Sequence, residues 1–230
     1  MTKEQKRYVN FFKKWDGMGM LGACIAVVGL LFMWLGMSYF TYIFAAVAVP
    51  VGLGLFFYGS SGRAGESDLK NDIQRKRETL QFPEIEENEG FRFRGRVPMD
   101  PEEMLFEGYV MREGLYLKKK KNGSLCSSEY ECAKMLFLND SFLIKRLTFS
   151  FVEDAESKES YEIFFAQLED ARVERTSGML QSATNKSFAA KTCHVVLVWD
   201  GGQELYLPAR DDIYTDEFVE KLKRNYITRK

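Results

Sequence analysis

The sequence predicts an α+β protein with a membrane segment, in which a two-helix transmembrane hairpin precedes about seven antiparallel strands and a C-terminal α-helix. Residues 17–62 contain no Asp, Glu, Lys, Arg or His. From residue 105 onward, short apolar segments alternate with turn residues, which is typical of antiparallel sheets. Residues 215–227 carry apolar side chains at helical spacing, namely Phe218, Val219, Leu222 and Tyr226. These observations separate a membrane part from a strand-rich part.

The uncharged stretch is too long for one span. As a single helix it would measure about 69 Å at ~1.5 Å per residue, whereas the hydrocarbon core of a bilayer is about 30 Å thick and takes roughly 20 residues. We therefore expect two spans, at 18–37 and 40–58, joined by a short turn. A cleaved signal peptide is the alternative for the first span, but the apolar run is long and a second span follows at once.

Basic residues flank the hairpin on both sides, while the turn between the spans carries no charge. They are Lys3, Lys6, Arg7, Lys13 and Lys14 before it, and Arg63, Lys70, Arg75, Lys76 and Arg77 after it. Basic flanks remain on the cytoplasmic side of a membrane. The sequence therefore predicts an integral membrane protein with two spans and both termini in the cytoplasm.

Small residues recur four positions apart within each predicted span. These pairs are Gly22 with Ala26, and Ala48 with Gly52. Small residues at this spacing allow two helices to approach closely, so we expect helix–helix packing at these positions. The alternative is that small residues are simply common in membrane helices.

The remaining segments complete the predicted organisation. Residues 1–16 mix basic side chains with an aromatic helical face, which predicts an interfacial helix; a cytoplasmic stub with snorkelling lysines is the alternative. Residues 63–90 read as a juxtamembrane helix and an acidic linker. Residues 91–230 then form the cytoplasmic domain.

Period-two alternation and turn residues predict the strands of that domain. The expected segments are 106–111, 115–121, 133–138, 142–152, 161–166, 171–175, 191–199 and 204–208. Before them, 91–97 (FRFRGRV) predicts an extended arm with one basic face. Residues 178–187 read as a polar, flexible loop, and Thr215 is the expected N-cap of the last helix.

Four segments carry a resemblance to a known family. They read, in order, KMLFLNDSFLIKR (134–146), FFAQLEDARVER (164–175), VVLVWDGGQELYLPA (195–209) and DEFVEKLKRNY (216–226). Their order resembles a pleckstrin-homology-like (PH-like) domain of the bacterial or GRAM type. The resemblance implies a closed antiparallel barrel capped by the C-terminal helix, and an adaptor or regulatory module without enzyme activity. The layout is similar to small bacterial membrane proteins, so we expect the plasma membrane of a bacterium.

A lysine run supplies the candidate binding site. The residues are Lys118, Lys119, Lys120 and Lys121, and the resemblance implies that the loop between the first two strands meets phosphorylated headgroups. Arg92, Arg94 and Arg96 are expected to contribute to the same basic surface. Each basic residue near an anionic leaflet contributes about 1 kcal/mol. The alternative is a solvated run that protects a strand edge.

No catalytic, cofactor or metal site is predicted. The formal net charge of −1 argues against a general nucleic-acid binder. The cysteines lack CxxC spacing, and Cys193 and His194 are neighbours on a predicted strand, so they point to opposite faces. Two functions remain open. The chain is either an adaptor or regulator at the inner leaflet that binds a protein partner or anionic lipid, or an accessory subunit of a larger membrane-protein complex with the hairpin as the interface.

Overall fold

The computed structural model describes residues 1–13, 17–35, 39–61, 63–82, 105–120, 122–138 and 140–227. The chain divides into two compact units, which we call the helical unit (Met1–Leu69) and the β unit (Lys70–Lys230). The predicted basic arm at 91–97 and most of the predicted acidic linker lie outside the described residues.

The helical unit is built from helices only. These are α1 (Lys3–Phe12), α2 (Gly17–Leu35), α3 (Tyr39–Ser61) and the beginning of α4 (Glu66–Glu78). Helix α1 begins with a capping box in which Thr2 and Gln5 each bind the other's backbone N–H. Its aromatic face, including Phe11 and Phe12, is buried inside the protein. The interfacial interpretation of residues 1–16 stays a prediction.

Among the described residues, one helix is long and apolar enough to cross a membrane by length and composition. It is α3, over the 20 residues Tyr39–Tyr58. Helix α2 is also apolar, but its apolar part, Gly19–Leu35, is shorter than a full span. The sequence-based prediction of a membrane segment thus has support from α3, while two spans do not follow from length alone.

The β unit confirms the α+β class and the antiparallel pairing. Its strands are β1 (Leu105–Tyr109), β2 (Leu117–Lys119), β3 (Leu125–Ser127), β4 (Glu129–Phe137), β5 (Ser141–Ser150), β6 (Glu156–Phe164), β7 (Leu168–Gln181), β8 (Ser187–Trp199) and β9 (Gln203–Pro208). A last helix, α5 (Ile213–Leu222), continues into a π-helical turn (Lys223–Ile227). The described strands form a four-stranded sheet in the order β1-β4-β5-β6, a hairpin of β2 and β3, and a three-stranded sheet in the order β7-β8-β9.

The prediction of a closed barrel of about seven strands is wrong. The described residues form nine strands in three separate hydrogen-bonded sheets, without a ring that closes. Two features of the structure account for the open sheets, and the sequence pattern showed neither. The hairpin β2–β3 is a separate insertion, and β7 and β8 pair well beyond the end of β9 as a two-stranded ribbon. Alternation of apolar residues predicts strands, but it does not specify which edges meet.

The core of the β unit lies among the two larger sheets and α5. Buried side chains include Phe142 and Ile144 from β5, and Val195 and Leu197 from β8. Helix α5 contributes an apolar face to the same core, namely Phe218, Val219 and Leu222. Fully burying one such side chain contributes about 1.5–3 kcal/mol relative to exposure, so α5 is an integral part of this unit.

Two local predictions are corrected by the hydrogen bonding. The segment 178–187 is not a flexible loop, because its ends belong to β7 and β8 and only a tight turn joins them. In that turn, Ser182 N donates to Lys186 O at 2.8 Å. Helix α5 begins earlier than expected, since Asp212 is its N-cap and accepts from Thr215 N at 3.0 Å. Thr215 lies inside the first turn of the helix.

Candidate functional site

Lysine residues cluster on the hairpin of β2 and β3. Lys118 pairs with Cys126 and Lys119 with Leu125 across this hairpin. Lys120 N donates to Ser124 O at 2.8 Å, and the Lys120 ammonium lies 4.6 Å from the centre of the Tyr109 ring. Lys119 is exposed, whereas Lys118 and Lys120 are half-buried. The structure therefore holds these three lysines on one short, hydrogen-bonded element.

A further lysine near this hairpin was missed from the sequence. Lys186 is exposed on the turn between β7 and β8, and Ser182 fastens that turn to the start of β2. Leu117 N donates to Ser182 Oγ at 3.0 Å, and Ser182 Oγ donates to Leu115 O at 3.1 Å. The local sequence does not indicate that Lys186 belongs with the other lysines, because it comes near β2 only through the hydrogen bonds of Ser182 with residues 115 and 117. We call Lys118, Lys119, Lys120 and Lys186 the lysine surface.

Four other residues were predicted to belong to the basic surface. Lys121, Arg92, Arg94 and Arg96 all lie outside the described residues. Within a strand, neighbouring side chains point to opposite faces, so Lys118 and Lys119 do not form one flat patch. The lysine surface is therefore a basic edge around a hairpin.

A cleft of about 460 Å³ lies between the later part of α4 and the four-stranded sheet. Its lining combines apolar and charged side chains: Gln74, Arg77, Glu78, Phe82, Leu105, Lys134, Met135 and Leu136. Lys76 on α4 forms an ion pair with Glu156, and hydrogen bonds from Lys76 and Lys158 hold the pKa of Glu156 below its ordinary value. Because Phe82 and Leu105 flank the undescribed residues 83–104, we assign no ligand to this volume.

An ion-pair network that is buried at Glu131 links strands β4, β5 and β6 of the four-stranded sheet. Arg146 binds Glu131 through two hydrogen bonds of 2.8 Å, and it contacts Glu159 at 3.3 Å. Tyr161 donates its hydroxyl to Glu159 at 2.6 Å. Burial acts to lower the pKa of Arg146, but the hydrogen bonds and charge of Glu131 raise it. The network thus keeps the guanidinium charged and fixed.

The Cys193–His194 pair does not form a nucleophile and base. The Cys193 thiol donates to Arg210 O at 3.6 Å, while the His194 ring meets Tyr206 edge-on with centres 6.1 Å apart. Burial raises the pKa of Cys193 and lowers the pKa of His194. A thiol that is held protonated is a poor nucleophile. The described residues contain no group of three or more His, Cys, Asp or Glu side chains that could hold a metal ion.

In the helical unit, the predicted small residues lie between α2 and α3. A Cβ atom added to Gly22 would lie 2.5 Å from Phe56 N, and one added to Gly52 would lie 2.5 Å from Ala26 N. Ala26 and Ala48 are buried in the same contact. Gly29 was missed, although it also faces α3, since an added Cβ would lie 2.9 Å from a methyl of Val49. These small residues therefore form the contact between α2 and α3 within the hairpin.

Comparison of the chain with protein-family models, with curated proteins and with solved structures found no match. The function proposed below is therefore argued from the sequence and geometry of this chain.

Proposed function

We propose that this chain is a non-enzymatic, membrane-anchored module that acts as an adaptor or regulator at the inner leaflet of a bacterial plasma membrane. The observation that carries the proposal is the surface of α3. Only 17% of its most apolar stretch is buried inside the protein. A core helix of a soluble protein would be mostly covered, so the open apolar surface of α3 favours a lipid environment.

Helix α2 supports a second span. It has 19 residues, which corresponds to about 28 Å at ~1.5 Å per residue and is close to the hydrocarbon thickness of about 30 Å. Large apolar side chains on its outer side, including Leu21, Leu30 and Met33, are exposed. Because α2 packs along α3, a bilayer that surrounds α3 would also cover these side chains.

The β unit supports a PH-like module by its chain order. A four-stranded and a three-stranded antiparallel sheet are followed by one helix, α5, which packs its apolar face into the core. The resemblance implies this order, although the sheets do not close into a barrel. A module of this kind binds rather than catalyses, and the lysine surface favours anionic lipid as the ligand, with a protein partner as the other possibility.

The anchoring proposal is tested by topology. A fluorescent protein that matures only in the cytosol should be fluorescent at the membrane when it is fused after Lys230. The same reporter inserted after Leu35, between the two helices, should be dark, because two spans place that turn on the other side. The measurement is cell fluorescence normalised to full-length fusion in the membrane fraction. A dark, membrane-inserted fusion after Lys230 would contradict the inner-leaflet model.

The lipid proposal is tested on the compact unit 70–230. Replacing Lys118, Lys119 and Lys120 together with Gln should lower its partitioning onto vesicles that contain phosphatidylglycerol by at least about tenfold, since each lysine contributes about 1 kcal/mol near an anionic leaflet. The measurement is co-sedimentation, with circular dichroism to check folding. A matched triple change at other lysines, Lys158, Lys191 and Lys221, should have a much smaller effect. Equal effects in the two triples would argue against a specific surface.

The alternative function, an accessory subunit with the hairpin as its interface, needs different residues from those expected. Gly22, Ala26, Ala48 and Gly52 are occupied by packing of α2 against α3. A partner helix would therefore have to pack on the outer faces of the hairpin. No described contact favours that over lipid, so the anchored module is the better-supported proposal.

A further inference from the structure

Helix α1 folds onto the segment that follows the membrane helix α3. Ala64 N donates to Arg7 O at 3.1 Å, and the Arg7 guanidinium forms an ion pair with Asp68 at 3.2 Å. Asp68 also accepts from Gly65 N at 2.9 Å. We call α1 together with residues 63–69 the collar. Its contacts fix the backbone that directly follows Arg63 and occupy the Asp68 carboxylate.

Arg63 is the unusual member of the collar. Its Nε atom is buried and has no hydrogen-bond partner, and no ion pair is found for its guanidinium among the described residues. A buried donor on a charged group is costly to leave unpaired. The Asp68 carboxylate is bound to Arg7 and Gly65. Burial of Nε holds the base of the guanidinium in place, and the side chain remains partly exposed, which leaves its two terminal amino groups to bind an acceptor from outside.

The position of Arg63 along the chain points to the missing acceptor. Arg63 lies two positions after the end of α3 at Ser61. Phe57 and Tyr58, in the last turns of α3, are exposed aromatic residues, and aromatic residues gather at the interface of a membrane. A basic residue just beyond them is at the depth of lipid phosphates. A planar guanidinium binds a phosphate through two parallel hydrogen bonds.

The charge of the collar favours a ligand with a net negative charge. Lys3, Lys6 and Lys13 on or next to α1 are exposed, and they outnumber the exposed carboxylates of the collar, Glu4 and Glu66. Basic sites at the cytoplasmic end of membrane helices bind anionic headgroups. Zwitterionic lipids also carry a phosphate, but their added positive charge is repelled by these lysines.

We propose that Arg63, held by the collar, binds the phosphate of an anionic phospholipid at the base of the α2–α3 hairpin. This inference rests on the proposed function, because it requires that the hairpin lies in a bilayer. It assigns the site to the helical unit and is independent of the lysine surface.

The test uses the full chain in detergent micelles doped with equal amounts of phosphatidylglycerol and phosphatidylcholine. Native mass spectrometry counts the lipids that each variant retains. The wild type should retain phosphatidylglycerol preferentially, and Arg63→Gln should retain about tenfold less. Lys191→Gln, which removes an exposed lysine charge outside the collar, should stay within about twofold of the wild type. Arg63→Lys keeps the charge and should recover part of the binding.

The other possible outcomes would each overturn a specific part of the proposal. Equal losses in Lys191→Gln and Arg63→Gln, or no preference for phosphatidylglycerol, would overturn the site. Displacement of the lipid by millimolar inorganic phosphate would assign the site to free phosphate and overturn the lipid assignment. Extraction of the chain from cell membranes by alkaline carbonate would overturn the anchoring proposal, and this inference with it. Resistance to carbonate without selective lipid retention would overturn this inference alone.

Discussion

Replacing Gly52 with Val will force α2 and α3 apart and lower the free energy of unfolding of the hairpin by about 2–3 kcal/mol. An added Cβ at Gly52 would lie 2.5 Å from Ala26 N and 2.7 Å from Gly22 O. Both neighbours are backbone atoms, so no side chain can rotate away to make room. The helices must separate, and the packing of the buried Ala26 and Ala48 is lost with them.

Gly54 supplies the matched control for this prediction. It lies on the same helix, and an added Cβ there meets no atom within 4 Å. Gly54→Val makes the same chemical change but should alter the free energy of unfolding by less than about 0.5 kcal/mol. The measurement is unfolding of the full chain by SDS in mixed micelles, followed by tryptophan fluorescence. Equal losses in both variants would show that valine itself, and not the contact with α2, is responsible.

The contact that Gly52 makes shows how far spacing alone predicts membrane packing. Small residues four positions apart indicated which residues lie at a helix contact, and the structure places all four of them there. The spacing did not indicate the partner, because a small residue allows close approach to any helix. The short turn between α2 and α3 makes the neighbouring helix the available one.

The strands were predictable where alternation is local. Segments 133–138, 142–152 and 204–208 overlap β4, β5 and β9 because each has a buried and an open face. Strand β3, three residues long, is too short for any periodicity to be recognised. The ribbon at the ends of β7 and β8 has few large apolar residues, namely Met179, Leu180 and Phe188, and it is recognisable as strand only from the pairing between the two segments. Sheet closure depends on edges that are distant in sequence, so it was beyond this kind of prediction.

The candidate sites also include residues that the sequence indicated and residues that only the folded structure brings together. Lys118, Lys119 and Lys120 stood out because they are consecutive, whereas Lys186 is near β2 only through Ser182. Arg63 was counted as one of several basic flanking residues. Its buried and unpartnered Nε depends on the fold of α1 onto residues 63–69, which no pattern in the sequence describes.

The second large effect is expected at the buried ion pair of the β unit. Glu131 is 8% exposed and binds Arg146 through both carboxylate oxygens. Arg146→Met should lower the free energy of unfolding by about 3–5 kcal/mol, because it leaves a buried carboxylate without its partner. Chemical denaturation of the full chain, followed by circular dichroism of the β unit, measures the loss.

An exposed ion pair in the three-stranded sheet is the control. Arg172 binds Glu204 at 2.6 Å, but both side chains remain more than one-third exposed, at 37% and 35%. Arg172→Met should therefore cost only about 0–1 kcal/mol, since water replaces the lost partner. A loss at Arg146 no larger than the loss at Arg172 would contradict the view that burial makes the Glu131 pair different.

The combined variant Glu131→Leu with Arg146→Met separates the two possible reasons for a large loss at Arg146. If the ion pair itself supplies the stability, removing both charges costs as much as removing one. If the loss comes from an isolated buried charge, the double variant should be more stable than Arg146→Met, because apolar side chains of similar size tolerate the same site. We expect the second outcome.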